Sequence, residues 1–174
     1  KAVRECAFVH NELTQKDIDK MKEEIEYRKV TVRKELLEHV KEARAHGDLS
    51  ENFEYHAAKK EKNKNESRIR FLERMIKTAV VVSDESAEDE VGINNTVTVE
   101  FPDDHLEEVY RIVTTVRGNS LKGLISNESP MGKALLGHKV GERVTVTVND
   151  RVSYDVVIKS IENTEDDDLE LNKF

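Results

Sequence analysis

Two long stretches of helical periodicity, separated only by residues 46–52, are the feature that most constrains the fold of this chain. Over about residues 14–46 the apolar side chains recur at spacings of three, four and seven, and neither Pro nor Gly interrupts the pattern before Gly47. This spacing predicts an amphipathic helix with a narrow apolar stripe. A second helix is predicted over about residues 50–79. Because the two stripes match when the chain folds back between them, the sequence predicts an antiparallel coiled-coil hairpin.

The apolar stripes of the predicted hairpin meet at its two ends and are thin in its middle. The antiparallel register sets Ile25 near Leu72 and Met21 near Ile76, whereas residues 59–67 contribute almost no apolar side chain. At ~1.5 Å per residue, two arms of roughly 30 residues each extend on the order of 45 Å. Such a polar hairpin has little core, so its stability is expected to be modest.

The second half of the chain has the period-two alternation that is typical of β-strands. Strands are predicted at residues 96–101, 109–116, 124–126, 143–148 and 152–161. One short helix is expected after Pro130. The chain is therefore predicted to be α+β, with a hairpin domain at residues 1–82 and a small antiparallel sheet domain at residues 95–162. Residues 83–94 are acidic and without pattern, which predicts a linker, and residues 163–174 are expected to be a frayed acidic tail.

Composition excludes several classes of protein. Of the 174 residues, 37% are charged, and the net charge of -8 argues against general binding to duplex nucleic acid. The single cysteine, Cys6, excludes an internal disulfide and a zinc site built from cysteines, and it fits a reducing cytoplasm. Since no apolar run reaches the length of a membrane span, no membrane association is expected.

Two acidic residues, Asp48 and Glu51, lie three positions apart at the break between the predicted helices. An acid followed three residues later by Glu is the pattern of a capping box, and spacing alone favours that structural role, with Ser50 as a rival cap. The alternative role is metal binding. Because Mg²⁺ requires about six oxygen ligands, two carboxylates can supply half a site at best. A partner would have to complete any such site.

A basic run on the second helix and a polar loop in the second half are further candidate sites. The basic run consists of Lys59, Lys60, Lys62, Lys64, Arg68 and Arg70. A solvated helix face is its default interpretation, and contact with nucleic-acid phosphates is the second. Residues 126–130 also have two interpretations: a plain turn that leads into a helix, or an exposed docking loop.

Two long motifs resemble those of the Gre transcript-cleavage factors of bacterial RNA polymerase. The first motif reads EARAHGDLSENFEYHAA over residues 42–58, and the second reads LISNESPMGKALLG over residues 124–137. The resemblance covers about residues 13–161. It implies an N-terminal antiparallel coiled coil followed by a domain that is similar in fold to FKBP prolyl isomerases and lacks their activity.

The resemblance implies that the chain activates another protein and is not an enzyme by itself. In this family the hairpin enters the secondary channel of RNA polymerase, where its tip acids help to hold the second Mg²⁺ of the active centre and promote cleavage of backtracked RNA near its 3′ end. By motif position, Asp48 and Glu51 are these metal-positioning acids, and Glu128, Ser129 and Pro130 match the loop that docks on the channel rim. The basic arm, which matches the region that guides extruded RNA, comprises Lys59, Lys60, Lys62, Lys64 and Arg68. The chain alone is expected to be a cytoplasmic monomer that binds no cofactor.

The chain departs from the family pattern in the middle of the hairpin, and two alternative functions stay open. Residues 32–35 stand where the family often has Pro, and residues 63–64 and Ser67 replace a common Gly-Phe pair and a common Gly. One alternative is a Gre-like regulator that occupies the channel and inhibits without cleavage, although intact tip acids count against it. The other is a prolyl isomerase with a helical appendage, which the few aromatic residues of the sheet domain disfavour.

Overall fold

The computed structural model describes residues 11–45, 52–164 and 170–172. The chain divides into two compact units. The hairpin unit comprises Lys16–Ala79, and the sheet unit combines the described residues from Val80 onward with those that precede Lys16. The first described residues therefore belong to the sheet unit, whereas the sequence suggested that they were part of the hairpin domain.

The hairpin unit consists of one long interrupted helix and one returning helix. Helix α1 (Gln15–Tyr27) continues through a π-helical turn (Arg28–Val32) into α2 (Arg33–Ala45), and α3 (Phe53–Thr78) runs back. The predicted helical hairpin is thus confirmed. Its second helix begins three residues later than the predicted start at Ser50.

Cross-helix contacts show that the two arms are antiparallel. Arg33 contacts Glu66, whereas Lys29, which precedes Arg33, contacts the later residue Glu73. Most of the buried apolar side chains lie towards the end formed by the start of α1 and the end of α3, whereas Ala43 alone of the described apolar residues is buried towards the other end, where the sequence predicted a second matching part of the stripes. The buried apolar residues are Ile18, Met21, Ala43, Ile69, Leu72 and Met75.

The π-helical turn adds one residue to a single turn of the first arm. The backbone N–H of Arg33 donates to the carbonyl of Arg28, five residues earlier. The turn contains three consecutive β-branched residues, Val30 to Val32, whose stiff side chains are less favourable in a regular helix. The Arg28 carbonyl also accepts a hydrogen bond from the Asn65 side chain (3.4 Å), so the turn is tied to the opposite helix.

The sheet unit contains a five-stranded sheet and a separate two-stranded sheet. The separate sheet pairs β1 (Asn11–Leu13) with β2 (Ala79–Val81), and neither strand was predicted. The larger sheet has the order β5-β4-β3-β7-β6. Its strands are β3 (Asn95–Phe101), β4 (Leu106–Val113), β5 (Leu124–Ser126), β6 (Arg143–Asn149) and β7 (Val152–Asn163), and the short helix α4 is Pro130–Leu135.

The five-stranded sheet is mixed and not wholly antiparallel. Strands β3, β4, β6 and β7 pair antiparallel, but β4 and β5 are parallel. Parallel neighbours require a crossover, and here the connection contains two 3₁₀ turns, Thr115–Arg117 and Ser120–Lys122. The fold class, a helical hairpin followed by a small sheet domain with one short helix, is confirmed.

The core of the sheet unit includes part of the expected linker. Val91 is 2% exposed and packs in the main apolar cluster, and Ile93 and Asn94 are also buried. Val91 donates its N–H to the His138 carbonyl (2.9 Å) and accepts from the Gly137 N–H (2.9 Å). The acidic composition of residues 83–94 predicted a linker, so these few buried positions were not expected from the sequence.

The described end of the acidic tail is anchored, although it was expected to be frayed. The Asn172 backbone N–H donates to the Val116 carbonyl (2.9 Å), and its side-chain amide donates to the Gly118 carbonyl (3.0 Å). Among the described helices, none is long and apolar enough to cross a membrane.

Candidate functional site

The predicted metal-positioning acids, Asp48 and Glu51, lie outside the described residues. The structure describes the two helix ends that flank this segment in the chain: α2 ends at Ala45 and α3 begins at Phe53. The role of the two acids therefore stays a prediction. Within the described ranges, no group of three or more His, Cys, Asp or Glu side chains is arranged to hold a metal ion.

Asn52 is the residue that caps α3, which corrects the capping prediction for Asp48 and Ser50. Its backbone is extended, and its side-chain Oδ1 accepts the backbone N–H of Tyr55 at 2.9 Å. Its Nδ2 donates to the Ala43 carbonyl at 2.7 Å. Because Asn52 supplies the cap, the start of α3 does not require the Asp48 carboxylate. The sequence signal was present, since Asn is a favoured cap residue, but two other candidates precede it.

The four lysines of the basic arm lie on the surface of α3. Lys59, Lys60 and Lys64 are exposed, and Lys62 is partly exposed. The Lys59 ammonium lies 5.8 Å from the centroid of the Tyr55 ring, which is within the range of a cation–π contact. Exposed ammonium groups along one helix can meet phosphates, so their role with RNA stays a prediction that the geometry permits.

Arg68, the fifth member of the basic arm, is held inside the hairpin. Its side chain is 10% exposed, and its Nε and Nη2 lie 3.0 Å from the two carboxylate oxygens of Glu24 on the opposite helix. Glu24 also accepts a hydrogen bond from Arg28 Nε at 2.7 Å. The geometry favours a structural role for Arg68 as a brace, meaning an ion pair with Glu24 that links α3 to α1. The predicted contact of Arg68 with RNA would require this ion pair to break.

Charged and polar pairs fill the seam where apolar side chains are missing. Burial alone would raise the pKa of the Glu24 carboxyl, but the hydrogen bonds from Arg68 and Arg28 outweigh it and hold that pKa below its ordinary value. Arg33 donates two hydrogen bonds of 2.7 Å to Glu66, and these lower the pKa of the Glu66 carboxyl. The middle of the hairpin is therefore held by directional contacts.

The predicted docking loop of Glu128, Ser129 and Pro130 leads into α4. Ser129 caps this helix: its Oγ accepts the Gly132 N–H at 3.0 Å and donates to the Ser126 carbonyl at 2.6 Å. Pro130 is exposed and occupies the first helical position, where its missing N–H is not needed. The three residues are thus adjacent in space as well as in sequence, and Pro130 is the most accessible of them.

Glu128 is engaged with neighbouring segments of the sheet unit. Its carboxylate accepts the Glu12 backbone N–H at 3.4 Å and the Thr115 hydroxyl at 3.0 Å. The adjacent Asn127 is 1% exposed and donates its side-chain amide to the Glu12 carboxylate at 2.7 Å. Sequence reasoning missed Glu12 and its contact with Asn127, because no local pattern indicates that β1 lies against this loop.

The small α4 helix packs on the docking loop only because residue 132 is a glycine. A Cβ atom on Gly132 would stand 2.1 Å from the Ser126 carbonyl oxygen and 3.0 Å from the Asn127 Cα. Such distances are far below van der Waals contact and involve backbone atoms. The loop conformation and Gly132 are therefore coupled.

The fold defines a class of protein in which a helical hairpin unit and a small mixed-sheet unit belong to one chain. Comparison with known proteins identifies the family within this class. A family model described as the transcription elongation factor N-terminal domain of GreA/GreB matches residues 11–81, and the model of the GreA/GreB C-terminal domain matches residues 85–163. The chain belongs to the GreA/GreB family of transcription elongation factors.

Two GreA sequences agree with this assignment. GreA of Geobacillus kaustophilus is 46% identical over 136 residues, which covers 77% of this chain and 85% of that protein. GreA of Streptococcus sanguinis is 45% identical over 154 residues, covering 87% and 95%. Among solved structures, the transcription factor Gfh1 is similar with 27% identity, a TM-score of 0.43 and coverage of 87% of this chain and 97% of that chain. The resemblance to the Gre family that the two motifs predicted is confirmed by the family and sequence matches.

Proposed function

We propose that this chain binds bacterial RNA polymerase, inserts its hairpin tip into the secondary channel and stimulates the polymerase's own Mg²⁺-dependent cleavage of backtracked nascent RNA. Arrested complexes would thereby be returned to elongation. The hydrolytic site belongs to the polymerase, so the chain is an activator and not an enzyme by itself. This role agrees with the cytoplasmic location and monomeric state expected from the sequence. The observation that carries the proposal is that Asp48 and Glu51 lie in the sequence between the two arms of the hairpin, while the returning helix is capped by a different residue, Asn52.

The length of the hairpin supports delivery of groups to a distant site. Helix α3 has 26 residues, and at ~1.5 Å per residue it spans roughly 39 Å. The cross-helix pairs of Arg68 with Glu24 and of Arg33 with Glu66 hold the arms together where the apolar stripe fails. A hairpin of this length can carry two carboxylates far from its own opposite end.

The donor set at the tip suits a shared Mg²⁺ site. Carboxylate oxygens are hard ligands of the kind that Mg²⁺ prefers, and one or two of them with phosphate and water oxygens commonly complete its shell. Asp48 and Glu51 would hold the second ion of the polymerase active centre. That ion would supply charge neutralisation at the scissile phosphate. The part of this chain is to present the two carboxylates, so its contribution ends when the hairpin withdraws.

The remaining predicted sites have supporting roles in the proposal. The exposed lysines Lys59, Lys60 and Lys64 would attract the phosphates of the extruded RNA 3′ segment. The Pro130 loop would contact the rim of the channel, with Ser129 and Glu128 holding the loop in shape. In this proposal, the sheet unit provides affinity for polymerase, and the hairpin tip provides the groups that take part in RNA cleavage.

A cleavage assay on purified backtracked polymerase complexes tests the proposal. Addition of the chain is expected to shorten the nascent RNA from its 3′ end and to restore elongation when nucleotides are supplied. A chain that binds polymerase and slows nucleotide addition without shortening the RNA would instead support the inhibitory regulator. A chain that accelerates isomerisation of a proline peptide and has no effect on polymerase would support the isomerase alternative.

A further inference from the structure

Glu12, on strand β1, contacts the docking loop from a distant part of the sequence. Its side-chain Oε2 accepts a hydrogen bond from Asn127 Nδ2 at 2.7 Å, and its backbone N–H donates to Glu128 Oε1 at 3.4 Å. Asn127 and Glu128 are neighbours, and Ser129 and Pro130 follow them directly. The side chain and the main chain of one residue therefore both bind the segment that enters the loop.

The side chain of Asn127 depends on Glu12 because it is buried. Asn127 is 1% exposed, and its Oδ1 has no hydrogen-bond partner within the described part of the chain. The bond to Glu12 is the one hydrogen bond described for this side chain. A buried amide that loses such a bond leaves its donor unsatisfied, which costs roughly 10- to 100-fold in an equilibrium constant. Loss of the Glu12 carboxylate should therefore disfavour the observed position of Asn127.

The strand that carries Glu12 is itself anchored. The adjacent Leu13 is 0% exposed, and its carbonyl accepts the Val82 backbone N–H at 2.9 Å. On the other side of the loop, Glu128 accepts the Thr115 hydroxyl at 3.0 Å. Glu128 is thus held both by β1 and by the segment that follows β4, so the loop is fixed between two parts of the sheet unit.

We propose that Glu12 is a positioning residue for the docking loop, and that it fixes the conformation in which Pro130 is presented to polymerase. If the loop adopts other conformations, the affinity of the chain falls by the fraction of molecules that remain competent to bind. The inference rests on the proposed function, because polymerase is the partner assigned to this loop. Glu12 should therefore affect binding and leave the cleavage step unchanged.

Reversal of the donor and the acceptor isolates the hydrogen bond from the shape of the site. Asn127→Asp removes the donor and places two carboxylates against each other. Combining it with Glu12→Gln leaves one carboxylate, to which the new amide at position 12 can donate. Glu12→Ala removes the acceptor without a new charge. Glu88→Ala, at an exposed position in the same unit, is the matched control.

The first measurement is the rate of stimulated RNA cleavage in backtracked polymerase complexes as a function of the concentration of the full chain. Glu12→Ala is expected to raise the concentration at half-maximal rate about tenfold, and Asn127→Asp at least as much. The maximal rate should match that of the wild type. The double variant should recover most of the affinity lost in Asn127→Asp, and Glu88→Ala should behave as the wild type.

The second measurement is amide hydrogen exchange in the free chain, which needs no polymerase. The Ser129 N–H donates to the Ser126 carbonyl at 3.0 Å, and the Gly132 N–H donates to Ser129 Oγ at 3.0 Å. Both bonds depend on the shape of the loop. Their exchange should be faster in Glu12→Ala than in the wild type and in Glu88→Ala.

An unchanged concentration at half-maximal rate in Glu12→Ala overturns the inference, and so do unchanged exchange rates. A double variant that binds no better than Asn127→Asp also overturns it, because the hydrogen bond would then not be the cause. A lower maximal rate with unchanged affinity would place Glu12 in a later step and contradict the positioning role. Failure of the wild-type chain to stimulate cleavage would contradict the proposed function itself, while the exchange rates would still test whether Glu12 holds the loop.

Discussion

Replacing Arg68 with methionine is expected to loosen the middle of the hairpin. Arg68 makes two of the three hydrogen bonds described for the Glu24 carboxylate, each of 3.0 Å, and Arg28 makes the third at 2.7 Å. Methionine retains an apolar stem of similar length, so the substitution mainly removes the charged hydrogen bonds. The same substitution would remove an RNA contact if Arg68 served in the basic arm.

The expected loss of stability follows from the exposure of the pair. Hydrogen bonds to charged groups contribute about 1.5–3 kcal/mol each. The Arg68 side chain is 10% exposed and that of Glu24 is 23% exposed, so water partly screens the interaction and partly replaces it. Arg28 also continues to neutralise Glu24. The net cost for both bonds is therefore about 2 kcal/mol in the free energy of unfolding, which corresponds to about 4–8 °C in thermal midpoint for a chain of this size.

Thermal unfolding followed by far-UV circular dichroism measures this effect, because most of the helical signal comes from the hairpin. Lys64→Met is the matched control, since Lys64 is exposed on the same helix, and its stability should stay within about 0.5 kcal/mol of wild type. A double-mutant cycle with Glu24→Gln should show coupling between residues 24 and 68. An unchanged midpoint for Arg68→Met, together with weaker RNA-dependent activity, would refute the brace and restore Arg68 to the RNA-contacting arm.

Two further predictions concern the docking loop and the response to pH. Gly132→Ala places a Cβ 2.1 Å from the Ser126 carbonyl oxygen, so it should destabilise the sheet unit by about 1–3 kcal/mol or more and weaken polymerase binding without loss of hairpin helicity. Gly118→Ala, whose Cβ would have 3.5 Å to its nearest atom, is the control in an equilibrium binding assay, and equal affinities for the two variants would contradict the steric argument. The pKa of Glu24 is lowered on folding, so its stabilising contribution is fully present above the unfolded pKa of about 4.5 and is lost as the pH falls through the lower folded value. Thermal midpoints measured over an acidic pH series should fall less steeply for Glu24→Gln than for wild type, and parallel curves would count against this assignment.

The hairpin was predictable because the spacing of apolar residues indicates both that the two segments are helical and how they align with each other. The sequence predicted that Ile25 lies near Leu72. The observed contacts of Arg33 with Glu66 and of Lys29 with Glu73 show the same antiparallel direction of the two arms. The π-helical turn was not predictable from that pattern. It depends on a local competition between stiff β-branched side chains and cross-helix contacts such as that of Asn65.

The start of α3 was misplaced because several residues could serve as its cap. Asp48, Ser50 and Asn52 all belong to residue types that accept a backbone N–H. Only the Ala43 carbonyl, at the end of the opposite helix, distinguishes Asn52, and that neighbour comes from tertiary structure. The functional consequence is direct, since the observed cap leaves the metal-positioning hypothesis for Asp48 without its main structural competitor.

The strands of the larger sheet were predictable from alternation, but their arrangement was not. Strands β3, β6 and β7 lie within two residues of their predicted positions. Period-two patterns do not encode strand direction, so the parallel pairing of β4 with the three-residue β5 was missed. The contribution of β1 to the docking loop, through Glu12, depends on contacts with residues more than a hundred positions away.

The most direct test of the account is the rate of RNA cleavage in backtracked polymerase complexes that contain the double variant Asp48→Asn, Glu51→Gln. Both substitutions keep the shape of the side chain and remove its charge, so the variant should bind polymerase as tightly as wild type and have the same helix content. Glu35→Gln, on the exposed surface of α2, is the control for loss of a hairpin carboxylate. The account predicts that stimulated cleavage falls to the level of polymerase alone in the double variant and is retained in the control. Wild-type stimulation by the double variant would contradict the claim that these two acids complete a metal site in polymerase.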